Sequence, residues 1–351
     1  MLLENTNKLL MKMHDEKVFD SYAVIVGAGG EEKTLFSDNV NEETYFDIAS
    51  MGKVLVTSSI ILHAIGDGKL TLCDTLDMFF ENVPDEKKKI TVKQLLTHSS
   101  GIVRHPITSE AVKKGHDGIA AEILSFPLAF EPGKGEIYSC NGFILLGYIA
   151  EKIYGMPLSE IFEKTEKPIF GFERSRFKIA TDEPNAAVSY RRENVGENRF
   201  DDENIYTMGE SAGSGAQFFT PADMRRFVLT VLRRDEKLYP REIFDEAEKA
   251  QISLGDETRG LGYCIVDERY RQTGMLFPVG SFGHCGHTGC SFFISRKLGI
   301  YVIILSNATR FLNMRSGFRG YDYGEIMKLR EEIHNEIYKN LTLEGLLKER
   351  E

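Results

Sequence analysis

The sequence predicts a single catalytic unit of the α/β class (α+β type), in which an antiparallel sheet is flanked by helices and joined to a mostly helical part. Strand-like segments occur near both ends of the 351-residue chain, with helical segments between them. One segment, from Ser50 to about Ile65, is apolar around most of its helical circumference, which is typical of a buried central helix. There is no internal repeat or flexible linker. We expect residues 1–351 to form one unit, with the α/β part at about 1–68 and 211–351 and the helical part at about 69–210.

Composition and charge exclude several classes of function. The formal net charge of −10 argues against a nucleic-acid or anionic-membrane partner, because a phosphate surface requires a basic one. Five cysteines, an odd number in a long chain, do not indicate a disulfide framework. The N-terminus lacks the pattern of a signal peptide, and no stretch approaches the uninterrupted apolar length of a transmembrane helix. We therefore expect a cytoplasmic protein with no membrane partner; its oligomeric state is left open.

The N-terminal third predicts a helix, a hairpin and the central helix. Leucines and methionines at helical spacing predict a first helix from about Asn5 to Lys17. A strand at 21–26, a glycine-rich turn at 27–30 and a short strand at 34–36 follow. The turn lacks the Lys-Ser/Thr of a phosphate loop and precedes two glutamates, so it indicates a hairpin.

The middle of the chain alternates short helices with loops. Thr91 is a candidate N-cap for a short helix, an irregular segment is expected at 101–117, and helical periodicity resumes at Gly142. The polar stretch at about 182–210, which contains Arg191, Arg192 and Arg199, is expected to form a mobile wall or long loop.

The C-terminal part predicts the rest of the sheet. Thr220 and Pro221 have the pattern of a helix N-terminus. Strands are expected at 261–266, 291–294 and 301–305, followed by a helix at about 325–341.

Three segments carry chemistry. Ser50 and Lys53 are three positions apart and share a helix face, where an amine can activate a hydroxyl nucleophile. Tyr138 lies at a loop-to-helix junction, followed by Cys140 and Asn141. A glycine-rich polar segment, His284-Cys285-Gly286-His287-Thr288-Gly289, precedes an apolar hairpin.

In this order and with their flanking residues, the three segments resemble the class C β-lactamase-related serine hydrolases, from about residue 21 to 308. That family includes penicillin-binding D-alanyl-D-alanine carboxypeptidases, D-aminopeptidases and β-lactamase-like esterases. The resemblance implies a β-lactamase/transpeptidase-like fold. It also implies that Ser50 is the acyl-forming nucleophile, Lys53 the base and Tyr138 the second member of the proton relay.

Two positions depart from the family pattern. The tyrosine motif usually ends in Asn or Asp, whereas the matching residue is Cys140, with Asn141 one place later. The third motif, usually Lys/His-Thr-Gly, has two possible registers. The favoured register makes His284 face the site, followed by Gly286, with the His287 amide completing an oxyanion hole with the Ser50 amide. In the other register His287 and Cys290 take these roles. The resemblance thus implies a set of residues that bind substrate or form the oxyanion hole: His284, Gly286, His287, Cys140 and Asn141.

The run His284, Cys285, His287 and Cys290 also contains zinc-ligand types. A strand would place His284 and His287 on opposite faces, which argues against zinc. We expect neither a metal nor a cofactor. The leading hypothesis is a serine hydrolase that acts on a small ester, amide or peptide, most simply as an esterase or amidase. β-Lactamase or D,D-peptidase activity and a non-catalytic ligand-binding or sensor role are the alternatives.

Overall fold

The computed structural model describes residues 2–190, 200–317 and 322–347. Arg191, Arg192 and Arg199 lie outside these ranges, so the prediction for their part of the polar stretch stays a prediction. Within the described part of that stretch, a two-residue strand and a helix (Glu203–Met208) are present where a long loop was expected.

A seven-stranded antiparallel sheet forms the centre of the α/β part. The described residues form ten strands in two sheets: β1 (Tyr22–Ala28), β2 (Glu31–Phe36), β3 (Tyr45–Asp47), β4 (Ala186–Ala187), β5 (Phe218–Phe219), β6 (Thr258–Arg259), β7 (Cys264–Ile265), β8 (Phe282–Cys285), β9 (Ser291–Ser295) and β10 (Ile300–Ser306). The large sheet has the order β2-β1-β10-β9-β8-β7-β6, and β4-β3-β5 form a smaller sheet. The N-terminal hairpin therefore pairs with the last strand, with Val24 opposite Ile304, as the strand signals at both chain ends predicted.

Helices cover both faces of the large sheet. They are α1 (Glu4–Asp15), α2 (Ser59–Gly66), α3 (Val92–Leu96), α4 (Ser109–Lys113), α5 (Gly115–Ser125), α6 (Cys140–Tyr154), α7 (Leu158–Ile161), α8 (Lys167–Phe170), α9 (Glu203–Met208), α10 (Pro221–Arg233), α11 (Arg241–Glu248), α12 (Ala308–Arg315) and α13 (Tyr323–Leu343). α1 and α13 pack against one another in the core on one face. The α+β fold is confirmed.

The sheet is buried on both sides because its strands are apolar at successive positions. In β1, Ile25 belongs to the core shared with the central helix, whereas Val24 and Val26 belong to the core beneath α1 and α13. The division of the chain into an α/β part and a helical part at about residues 69 and 210 stays a prediction.

Some element predictions need correction. The segment 101–117 is not irregular throughout, because it contains α4 and the start of α5. The strand expected at 261–266 is only two residues long. The central helix is not uniform: a 3₁₀ turn (Ala49–Met51) and a π-helical turn (Lys53–Ser58) precede α2. Periodicity of side chains does not distinguish these hydrogen-bond patterns, and π-helical turns occur often at functional sites.

The central helix also corrects the prediction about membrane-spanning length. Among the described residues, Ala49–Gly66 is the one helix long and apolar enough to cross a membrane by length and composition, with a mean hydropathy of 1.3. Lys53 interrupts it, and 78% of it is buried inside the protein. A helix buried to this extent is typical of a protein core.

Candidate active site

The nucleophile candidate and its base are neighbours. The Nζ of Lys53 donates to the Ser50 Oγ at 3.1 Å, as the three-residue spacing predicted. It also donates to the Ser214 carbonyl at 2.6 Å and contacts the Cys140 Sγ at 3.5 Å. Lys53 is fully buried, and this burial lowers the pKa of its ammonium group. Its amine is thereby easier to deprotonate, as a base for a serine hydroxyl must be.

The turn that carries Ser50 is held in a strained conformation. Ala49 has φ +48°, in the left-handed region that non-glycine residues rarely adopt. Its N–H donates to the Asp47 Oδ1 at 2.8 Å, and its carbonyl accepts from the Ala216 N–H at 3.1 Å. Contacts with Asp47 and Ala216 therefore hold the peptide that precedes Ser50 in this conformation.

A glycine segment lies directly against this turn. A β-carbon on Gly215 would lie 2.2 Å from the Ala49 carbonyl oxygen, and one on Gly213 would lie 2.1 Å from the Phe143 carbonyl oxygen. The hydroxyl of Thr57 donates to the Gly213 carbonyl at 2.7 Å. Glycine at these positions allows the central helix and α6 to approach closely enough for Lys53 to reach Ser214.

Tyr138 lies on the other side of the Lys53 amine. Its ring centre is 5.0 Å from the Lys53 Nζ, and it immediately precedes α6, whose N-cap is Ser139. His98 supports this junction, because its Nδ1 accepts from the Ser139 N–H at 3.1 Å and its ring lies 4.6 Å from that of Tyr138. Burial raises the pKa of Tyr138 well above its usual value, although a hydrogen bond with Ser50 acts in the opposite direction. Tyr138 is therefore a neutral phenol at pH 7.

A buried arginine also lies against this tyrosine. The guanidinium carbon of Arg259 is 5.4 Å from the Tyr138 ring centre. Arg259 forms ion pairs with Glu136 and Glu257, with N–O distances of 3.1 and 2.5 Å. No local motif marks Arg259, so only the tertiary structure identified it as part of the site.

Cys140 and Asn141 have different environments. Cys140 lines the same cavity as Ser50 and contacts Lys53. Asn141 is fully buried and its Nδ2 donates to the His105 carbonyl at 3.3 Å, whereas its Oδ1 has no partner among the described residues. It is not among the residues that line the cavity. The expectation that Asn141 contacts substrate is therefore not supported by its position.

Both histidines of the third motif line the cavity. The ring of His284 is 6.3 Å from that of Tyr138, and the His287 Nε2 is hydrogen-bonded to the Asp201 Oδ2 at 2.5 Å. The argument that they must lie on opposite faces is wrong, because β8 ends at Cys285 and the chain turns before His287. The two registers are thus not exclusive alternatives in this site.

Gly286 brings this turn against the nucleophile. A β-carbon on Gly286 would lie 2.5 Å from the Ile48 carbonyl oxygen. Its own N–H donates to the Cys290 carbonyl at 2.8 Å, which leaves that amide unavailable as an oxyanion donor. The placement of Gly286 in the substrate-binding or oxyanion set is therefore corrected: its role is close packing.

These groups surround one cavity of about 630 Å³. Ser50, Tyr138, Cys140, His284 and His287 all line it. A volume of this size fits a small organic substrate. Within the described ranges, no group of three or more His, Cys, Asp or Glu side chains is arranged to hold a metal ion.

Sequence reasoning missed several supporting residues. Asp47, which holds the Ala49 amide, immediately precedes the nucleophile segment and could have been considered from that position. Ser214 contributes only a backbone carbonyl, and Asp201 lies far from His287 in the sequence. Such contacts leave no local pattern in the sequence.

Comparisons with known proteins agree with this architecture. The family model Beta-lactamase matches residues 7–319. A protein of Escherichia coli (strain K12) with the provisional name D-alanyl-D-alanine carboxypeptidase is 24% identical over 302 residues, which cover 75% of this chain and 69% of that protein. The solved β-lactamase/D-alanine carboxypeptidase of Pseudomonas syringae superposes with a TM-score of 0.74 at 17% identity, covering 95% of this chain and 99% of the other. A solved hydrolase with promiscuous acyltransferase activity gives a TM-score of 0.74 at 16% identity, covering 95% and 98%.

The chain belongs to the Beta-lactamase family. It is a serine hydrolase of the β-lactamase and penicillin-binding-protein type, and the family resemblance and this class of enzyme are confirmed.

Proposed function

We propose that the protein is an esterase or amidase that forms an acyl-enzyme on Ser50. The observation that carries this proposal is the 3.1 Å contact between the Ser50 Oγ and a fully buried Lys53 amine, at the wall of the cavity. A neutral amine at this position can accept the hydroxyl proton as the oxygen attacks a carbonyl carbon. The lowered pKa of Lys53 supports this role.

The proposed reaction has two steps. In acylation, the Ser50 oxygen bonds to the acyl carbon, its proton passes to Lys53, and the bond to the leaving group breaks as the phenol of Tyr138 supplies a proton to that group. In deacylation, water attacks the acyl carbon and one of its protons enters the Lys53–Tyr138 pair. The bond between the acyl carbon and the Ser50 oxygen then breaks, the Ser50 oxygen recovers a proton from the pair, and the carboxylic acid leaves. The backbone amides of Ser50 and His287 are the proposed oxyanion donors, since both residues line the cavity.

Labelling with a fluorophosphonate and hydrolysis of a short-chain 4-nitrophenyl ester test this proposal. Ser50→Ala should lose the label and at least about a thousandfold in kcat/KM. Ser58→Ala is the matched control, because Ser58 is buried on the same helix and its hydroxyl has no partner within the described part of the chain. A folded wild-type protein that neither reacts with the probe nor hydrolyses the ester contradicts the proposal.

A D,D-carboxypeptidase is the second candidate, because the curated relative carries that name. One feature ranks it below an esterase or amidase. Cys140 replaces an amide side chain with a thiol, which is a poor partner for a peptide substrate. Release of D-alanine from a peptide ending in D-Ala-D-Ala at an enzyme-like rate, lost in Ser50→Ala, would reverse this ranking.

A further inference from the structure

The charges that line the cavity are predominantly negative. The described lining contains two guanidinium groups and four carboxylates: Arg104, Arg259, Glu136, Asp202, Asp256 and Glu257. A cavity lined mainly by one sign of charge raises the local concentration of ligands of the opposite sign. The charges of the lining therefore indicate which charge a substrate of this cavity can carry.

Arg259 is not available to hold a substrate anion. Its Nε pairs with Glu136, its Nη2 pairs with Glu257, and its Nη1 lies 2.9 Å from the Cys264 Sγ. The side chain is only 3% exposed. Because each guanidinium nitrogen already contacts a protein acceptor, a substrate carboxylate would have to displace one of them.

Arg104 is the other guanidinium group of the lining. It is 55% exposed, and its Nη2 lies 3.9 Å from the Asp202 Oδ2. An exposed cation close to a carboxylate attracts a further anion only weakly, because the carboxylate offsets its charge and water and salt screen it.

His284 contributes a hydrogen-bond acceptor to the cavity lining and no positive charge. Its Nδ1–H donates to the Cys285 carbonyl at 2.8 Å, so the Nε2 of the neutral ring is an acceptor. Burial, together with the charges of Lys53 and Arg259, lowers the pKa of His284 well below its ordinary value, so the ring is neutral at pH 7. The side chain is 2% exposed, lines the cavity, and its Nε2 has no partner among the described residues. A buried acceptor without a partner is completed by a ligand that donates a hydrogen bond.

From the carboxylate excess and this open acceptor, we infer that the cavity selects an ester or amide that carries an ammonium group and rejects one that carries a carboxylate. The inference rests on the proposed function of the same site. An ammonium group is attracted by the lining carboxylates and can donate a hydrogen bond to the His284 Nε2. A substrate carboxylate is repelled by the lining carboxylates and has no hydrogen to donate to the His284 Nε2.

Three 4-nitrophenyl esters of equal acyl length, ending in an ammonium, a methyl and a carboxylate group, test this selectivity. At low ionic strength we expect kcat/KM for the ammonium ester to exceed that for the carboxylate ester by at least about tenfold. The ratio should fall as salt is added, because screening weakens interactions at the exposed part of the cavity. Equal rates for the two charged esters, or a preference for the carboxylate ester, would overturn the inference.

Asp256→Asn tests the contribution of the lining. Asp256 is exposed at the cavity, and its neutralisation should lower the ammonium-to-carboxylate ratio about threefold. Glu242→Gln on α11 is the control: it makes the same charge change at an exposed site outside the cavity lining. An equal effect of both variants would indicate a general charge effect and contradict the inference.

Binding to Ser50→Ala separates selectivity from catalysis. Calorimetric titration of this variant with the two charged esters should give at least about tenfold tighter binding of the ammonium ester. Wild-type hydrolysis of the methyl ester without charge discrimination would overturn the inference and leave the proposed function intact. Preferential ammonium binding without hydrolysis of any ester would support the inference and contradict the proposed function.

Discussion

The carbonyl oxygen of Ala49 lies so close to Gly215 that a β-carbon on that glycine would be 2.2 Å away. The same carbonyl accepts from the Ala216 N–H at 3.1 Å. The peptide that precedes the proposed nucleophile is thus held by a segment more than 160 residues later in the sequence. Ser50 is positioned by this contact as much as by its own helix.

Gly215→Ala should displace this peptide and impair acylation. Because a misplacement of about 1 Å can cost about a hundredfold in rate, we expect the fluorophosphonate labelling rate to fall by about 10- to 100-fold. Gly280→Ala is the matched control, since Gly280 also has a positive φ (+85°) but nothing within 4 Å of a β-carbon. An unchanged labelling rate in folded Gly215→Ala would show that the turn tolerates the displacement.

Tyr138→Phe should reduce activity more on substrates whose leaving group must be protonated than on substrates whose leaving group departs as an anion. A general acid contributes about 10²- to 10⁴-fold, and its loss matters most for a group that cannot leave unprotonated. We therefore expect a large fall in kcat/KM on an alkyl ester and a much smaller fall on a 4-nitrophenyl ester. The ratio of the two rate constants is the measurement; a uniform fall on both would contradict the role of proton donor to the leaving group.

The pH profile should report the buried Lys53 amine. Because burial lowers its pKa, the neutral base form predominates above that pKa, and kcat/KM should rise with pH to a plateau with a midpoint below 10.5. The Cys140 thiol contacts the ammonium and raises the same pKa. Cys140→Ala should therefore move the midpoint to lower pH.

Cys73→Ala provides the control for this shift, because Cys73 is exposed and lies outside the cavity lining. Its profile should coincide with that of the wild type. A profile that falls between pH 6 and 9 in the wild type would be incompatible with Lys53 as the base.

Asp47 should make stability depend on pH. Burial raises its pKa to about 6 from an ordinary value of 3.8, so between these pH values the folded state binds more protons than the unfolded state. Its contribution to stability is therefore fully present below pH 3.8 and is lost as pH rises through 6. The shift of about two units corresponds to about 3 kcal/mol.

Urea unfolding of wild type and Asp47→Asn between pH 4 and pH 8 measures this contribution. The asparagine keeps an oxygen for the Ala49 amide but does not ionise. We expect the difference in free energy of unfolding between the two proteins to change by about 3 kcal/mol in favour of Asp47→Asn as pH rises. A difference independent of pH would mean that Asp47 titrates normally.

Local patterns in the sequence predicted much of the fold. The N-cap at Thr91 and the proline at the first turn of α10 both appear as expected. These features depend on residues close in sequence, whose spacing is visible directly. The helices within segment 101–117 and the mixed hydrogen-bond patterns of the central helix were not predicted, because packing determines them.

The sequence by itself determined the pair at the centre of the site. Ser50 and Lys53 meet because three residues of helix bring their side chains to one face. Only the tertiary structure placed Arg259 against Tyr138, brought His284 and His287 to one cavity, and left Asn141 outside the cavity lining. These relationships join distant segments through packing and charge pairing, and no periodicity within a single segment can specify them.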